Sequence, residues 1–108
     1  IIYLCSPNNP TGTITPESEV KRLIANAPGI VVVDEAYGEF ASARDWRAEA
    51  PAMERVLVLR TFSKAYGMAG LRAGFALARP DLLAKMGQFS SSGFMPITGL
   101  ACATASAR

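Results

Sequence analysis

The chain has 108 residues, half of them hydrophobic, with a formal net charge of +2 and no histidine. That length supports one modest core. Acids and bases are interspersed, so there is no nucleic-acid footprint, and no run of about eighteen apolar residues marks a membrane-spanning helix. Without histidine, catalytic triads and histidine metal sites are excluded within these residues, and no metal is expected.

The sequence opens inside an apolar run, Ile1-Ile2-Tyr3-Leu4, and ends within a small-residue helical pattern, so it reads as an interior piece of a longer protein. Cys5 and Cys102 lie far apart and read as reduced core thiols, which points to the cytoplasm. Ile1 to Cys5 is predicted to be a buried strand, closed by the turn-rich segment Ser6 to Gly12. Thr15 and Pro16 open a helix as cap and first residue, and Val20, Leu23, Ile24 and Ala27 form its apolar stripe. Pro28-Gly29 ends it. Ile30 to Val33 is a β-branched run expected to be covered on both faces, and it runs abruptly into Asp34-Glu35-Ala36-Tyr37. Gly38 to Ala50 is more polar, has little periodicity and holds the only tryptophan, Trp46. Val56 to Leu59 and Ala73 to Ala78 are further strands, Pro80 to Met86 a helix, Ser90 to Gly93 a loop, and a closely packed helix begins at Pro96.

This order predicts an α/β fold with a mainly parallel sheet flanked by helices. Ligands of such sheets sit beyond the carboxyl ends of the strands. Three consecutive strands then deliver Asn9, then Asp34 and Tyr37, then Thr61, Ser63 and Lys64 to one edge. Lys64 follows an apolar strand and two hydroxyls, with Gly67, Gly70 and Arg72 after it. A desolvated lysine attacks carbonyls, and hydroxyls with an arginine hold a phosphate; together these requirements describe pyridoxal 5'-phosphate. Asp34 would meet a protonated ring nitrogen, and Asn9 and Tyr37 a phenolic oxygen. Each residue also has a plainer reading. Asp34 fits a turn, Asn9 a turn-former, Tyr37 a half-buried ring with a wet hydroxyl, Lys64 a solvated lysine and Arg72 a surface ion pair. A Ser-x-x-Lys nucleophile does not fit, because Thr61 stands three before Lys64. Glu17, Glu19 and Glu35 are assigned no chemistry; Glu35 points away from Asp34.

Asn9-Pro10-Thr11-Gly12, Asp34 to Tyr37 and Thr61 to Arg72 resemble, in the same order, the class I/II aminotransferases of pyridoxal-phosphate fold type I. Asp34 to Phe40 and Arg60 to Gly67 are most like the histidinol-phosphate aminotransferases. The resemblance implies that residues 1–108 are the central part of the large, cofactor-binding domain. It also implies that Lys64 binds the cofactor's aldehyde and moves the substrate proton, and that Asp34 pairs with the ring nitrogen. Asn9 and Tyr37 would hold the phenolic oxygen, Thr61, Ser63 and Arg72 the phosphate, and the Asn9-Pro10 bond would be cis. The family's phosphate loop, ring-stacking aromatic and substrate-carboxylate arginine lie outside this segment, so the piece alone is expected to be inactive. The full-length protein is expected to be a cytoplasmic homodimer acting on an amino donor and a 2-oxo acid, with no nucleic-acid or membrane partner. The same scaffold serves C–S lyases, decarboxylases, aromatic aminotransferases and the aminotransferase-like sensor domains of transcription regulators.

Overall fold

A computed structural model describes residues 1–42, 44–89 and 96–106. The expected loop at Ser90 to Gly93 lies outside the described residues. Strands β1 (Ile2–Cys5), β2 (Val31–Asp34), β3 (Val56–Thr61) and β4 (Gly74–Ala78) form one sheet in the order β1-β2-β3-β4. β1 with β2 and β2 with β3 are parallel, whereas β4 runs back along β3, so the sheet is mixed and mainly parallel. Helices α1 (Glu17–Asn26), α2 (Pro80–Gly87) and α3 (Ile97–Ser106) complete the regular structure.

The two-residue period of a strand sorts the side chains onto two faces. Ile2, Leu4, Val31, Val33, Val56, Val58 and Leu77 share one face. There they form the principal core with Val20 of α1, with Ala27, and with Trp46 and Ala50 from the long β2–β3 connection. Val32 and Leu57 share the other face with Ala76 and Ala78, under a thinner cover that includes Leu82 of α2. Val31, Val32 and Val33 are all buried, as their continuous β-branched run predicts. A third small cluster gathers Phe62, Ala73 and Met68 against Ala103 of α3.

Several boundaries differ from the sequence expectation. Thr15 does not cap α1; its N–H donates instead to Ser6 Oγ at 3.0 Å, and Pro16 becomes the cap residue, its carbonyl accepting from Glu19 and Val20. The helix stops at Asn26 because Ala27, preceding Pro28, is forced into extended geometry (φ −67°, ψ 131°). Polar Gly38 to Ala50 is not featureless. It holds short 3₁₀ turns at Gly38–Phe40 and Trp46–Ala48, with a third at Ala50–Ala52. These short turns carry no long hydrophobic period to detect. Trp46 is 4% exposed, and the Arg44 guanidinium lies 5.3 Å from its ring centroid. Neither cysteine is a core thiol: both are free, Cys5 half-buried and Cys102 exposed.

Gly74 opens β4 opposite Thr61, where a Cβ would lie 2.8 Å from the Arg60 carbonyl oxygen; at Gly87, in the last turn of α2, a Cβ would meet nothing within 4 Å. Gly74→Ala is therefore expected to cost about 1–3 kcal/mol by overpacking. Gly87→Ala should be neutral or stabilise by up to about 1 kcal/mol. Urea denaturation of the two variants checks the contrast.

Candidate active site

All the candidate residues gather at one edge of the sheet. β1, β2 and β3 end there, and β4 begins there because it is antiparallel. Asp34, Thr61, Ser63, Lys64 and Arg72 line one cleft of about 670 Å³. Asn9 and Tyr37 line an adjoining cavity of about 530 Å³ instead. Lys64 Nζ, on the first, lies 5.2 Å from the ring centroid of Tyr37, on the second. The peptide bond before Pro10 is cis, as the resemblance implies, and so is the bond before Pro7.

The lysine loop takes its shape from Phe62. Its ring is buried against Ala73 and Met68 and contacts the Tyr66 ring at 5.2 Å, while its N–H donates to Ala73 O at 3.1 Å and its carbonyl accepts from Met68. With Phe62 turned inward, Ser63 and Lys64 are carried over the cleft. The Thr61 hydroxyl accepts from Ser63 N–H at 3.1 Å and reaches Ala73 O at 3.4 Å, tying both ends of the loop. Gly67 closes the turn at φ +64°, a conformation that suits glycine. Arg72 ends the 3₁₀ turn Ala69–Leu71 in the left-handed region (φ 52°), uncommon for a residue with a side chain, and its guanidinium donates to Ala69 O at 3.1 Å. Sequence reasoning places Lys64 in a desolvated position. Among the described residues, however, both Lys64 and Arg72 are exposed, because the loop projects beyond the sheet edge.

Asp34 is half-buried rather than fully enclosed. Its Oδ1 accepts from Ala36 N–H at 2.9 Å, and its Oδ2 accepts from the Tyr3 hydroxyl. That hydrogen bond, with lesser contributions from burial and the carboxylate charge, pushes the Tyr3 phenol up to about 12. The cleft thus presents an oriented carboxylate on the sheet and an amine and a guanidinium on the loop beyond it. Such a set suits a ligand carrying a cationic ring nitrogen, an aldehyde and an anionic group.

The opposite face carries a feature that sequence reasoning missed. Arg60 and Glu35 are the chain neighbours of Thr61 and Asp34, and their side chains point the other way. The Arg60 guanidinium is buried and donates to Glu35 Oε2 (3.0 Å), Glu39 Oε1 (2.8 Å) and Asp45 Oδ1 (3.2 Å). Glu35 is 2% exposed and also accepts from Trp46 N–H at 3.3 Å. Burial pushes its carboxyl above the ordinary range, opposed chiefly by the charge of Arg60. Removing one partner of such a buried pair costs about 3–5 kcal/mol, because the other charge is left uncompensated. Gly38 is fitted to this cluster: a Cβ there would lie 2.6 Å from Arg60 Nη1. A carboxylate directly after the strand-ending Asp34 and an arginine inside an apolar strand were the available signals, but which strands pair is not written in either.

Asp45 is held at about 2, below its usual 3.8, first by hydrogen bonding to Arg47. A carboxyl lowered on folding adds stability above its unfolded value, and that stability is lost as pH falls through the folded value. Acid unfolding of the wild type should therefore steepen between about pH 4 and pH 2, and Asp45→Asn should flatten that limb; circular dichroism against pH reads both.

Among the described residues no helix is long and apolar enough to cross a membrane, and no group of three or more metal-binding side chains occurs. All of residues 1–108 match the family "Aminotransferase class I and II". Over 84 residues the chain is 45% identical to the histidinol-phosphate aminotransferase of Methanocaldococcus jannaschii, covering 77% of this chain and 22% of that protein. It is 39% identical over 113 residues to the aromatic amino acid aminotransferase of Mycobacteroides abscessus, covering 99% of this chain and 31% of the relative. The crystal structure of histidinol-phosphate aminotransferase from Sinorhizobium meliloti in complex with pyridoxal-5'-phosphate superposes with a TM-score of 0.82 at 34% identity, over 92% of this chain and 28% of that one. The chain thus spans 22–31% of the length of these relatives. Matched by the family along its whole length, the chain belongs to the class I and II aminotransferases.

Proposed function

We propose that this chain is the cofactor-binding centre of a pyridoxal-phosphate-dependent aminotransferase that moves an amino group between an amino acid or amine and a 2-oxo acid. One observation carries the reading: Lys64, Asp34 and Arg72 line the same cleft. When bound, the cofactor supplies an aldehyde and an electron-withdrawing ring. Lys64 would bind at the aldehyde, give up that bond when the amino substrate takes its place, and as the freed amine take and return the substrate's α-proton. Asp34 keeps the ring nitrogen protonated. Asn9 and Tyr37, which line the neighbouring cavity, would hold the phenolic oxygen. Arg72 and Ser63 bind the phosphate, with Thr61 donating once its 3.4 Å contact to Ala73 O is given up.

Histidinol phosphate is the favoured amino substrate, supported by the 45% identity to the Methanocaldococcus jannaschii enzyme. The 39% identity to an aromatic amino acid aminotransferase supports a second reading, an aromatic donor on the same scaffold. The full-length protein assayed with each donor and 2-oxoglutarate separates the two. If neither donor yields glutamate with the full-length protein, both readings of the donor fall. The reading also carries a cytoplasmic homodimer; the free thiols accord with a reducing compartment, and sedimentation tests the dimer.

Borohydride should fix the cofactor to the full-length wild-type protein but not to its Lys64→Ala variant, whose turnover should fall by about 10²–10⁴-fold. A reducible adduct that persists in Lys64→Ala would place the reactive amine elsewhere. Asp34→Asn should lower kcat by about 10²–10³-fold while leaving the unfolding midpoint nearly unchanged.

Arg72 offers a separate check, because its backbone and its guanidinium have opposite consequences. Arg72→Gly should leave stability unchanged or raise it by up to about 1 kcal/mol, since glycine adopts the left-handed region freely. Cofactor affinity should nevertheless drop by about tenfold or more with loss of the cation. A variant that binds cofactor normally would remove Arg72 from the phosphate site.

A further inference from the structure

The site just assigned leaves one of its hydrogen bonds unexplained. β1 places Tyr3 and Cys5 on the same sheet face as Asp34, with Cys5 directly beside Asp34 and Tyr3 beside Val32, one pair further back. A tyrosine in that diagonal position is long enough to reach the carboxylate, and its hydroxyl donates to Asp34 Oδ2. Tyr3 is 60% exposed, so burial does not explain where its ring lies; the bond to Asp34 does. With Ala36 N–H donating to Oδ1 at 2.9 Å, both oxygens are held and the carboxylate cannot rotate freely about its Cβ–Cγ bond. Two of about four lone-pair sites are used, and the remainder is left to meet an incoming N–H donor.

We propose that Tyr3 is a positioning residue, fixing the Asp34 carboxylate in one orientation to receive a cationic ring nitrogen. The inference rests on the pyridoxal-phosphate reading above and goes beyond it by assigning β1 a part in cofactor binding. Its physical basis is preorganisation: a carboxylate aimed before binding loses less freedom when the ligand arrives. The phenol is suited to this work. With its titration pushed up to about 12, it remains a donor throughout the neutral range. Asp34 and Cys5 are the groups that shift it.

The test is a double-mutant cycle on the holoenzyme, with cofactor dissociation constants measured for wild type, Tyr3→Phe, Asp34→Asn and the double variant. Tyr3→Phe should weaken binding by about five- to tenfold, and by less than about twofold once Asp34 is changed. In parallel, ring-labelled tyrosine in cofactor-free protein should show one phenol titrating near 12 that returns toward its usual 10 in Asp34→Asn and is missing from Tyr3→Phe. This second arm decides if the Asp34 variants bind too weakly to measure. Tyr3→Phe binding like wild type, an equal loss in both backgrounds, or a phenol indifferent to Asp34→Asn would each overturn the proposal alone. Full-length wild-type protein that takes up no pyridoxal phosphate would overturn the functional reading and this proposal together.

Discussion

The constraint on which the cleft depends is the buried ion pair between Arg60 and Glu35 on the far side of the sheet. Glu35 follows Asp34 and Arg60 precedes Thr61, so the two-residue period of strands turns each pair of neighbours to opposite faces. Drawing Arg60 and Glu35 together to 3.0 Å fixes where the ends of β2 and β3 lie. The ladder reinforces this, since Glu35 N–H donates to Leu59 O at 3.0 Å. A carboxylate meant for chemistry and one meant for architecture are thus adjacent in the chain but separated by the sheet. Glu35 is sealed in and shared with one guanidinium, whereas Asp34 keeps lone pairs facing an open cleft.

Much of this was legible in the residues. The β-branched run before Asp34 and the apolar run before Thr61 predict strands whose ends share an edge, and the cleft contains five of the seven candidate residues. Asn9 and Tyr37 fall next door, since strand order says where their loops start but not how they fold back. Lys64 could be placed on the correct rim but not in its solvent environment, which depends on what packs above the loop. The Arg60 cluster and the Tyr3 contact escaped for a shared reason. Both rely on lateral register between strands distant in sequence, 25 residues for Arg60 with Glu35 and 31 for Tyr3 with Asp34.

The antiparallel return of β4 gives the lysine loop a different character from the rest of the site. Its two ends meet across the Thr61–Gly74 pair, so Lys64 and Arg72 are held on a closed span of backbone whose geometry is set locally. Asp34 reaches the same cleft by a parallel crossover through the long connection that carries Trp46. The cationic side of the cleft is therefore a product of short-range structure, while its anionic side depends on long-range assembly.

Gly38 carries a consequence for how this sequence can diverge. A Cβ at position 38 would occupy space 2.6–3.1 Å from three atoms of the Arg60 guanidinium. That guanidinium cannot swing aside without abandoning three carboxylates. The two positions are therefore packed against each other, and a larger residue at 38 requires the guanidinium end of Arg60 to shift within its ring of carboxylates. That adjustment belongs to the far face and leaves the residues of the cleft untouched.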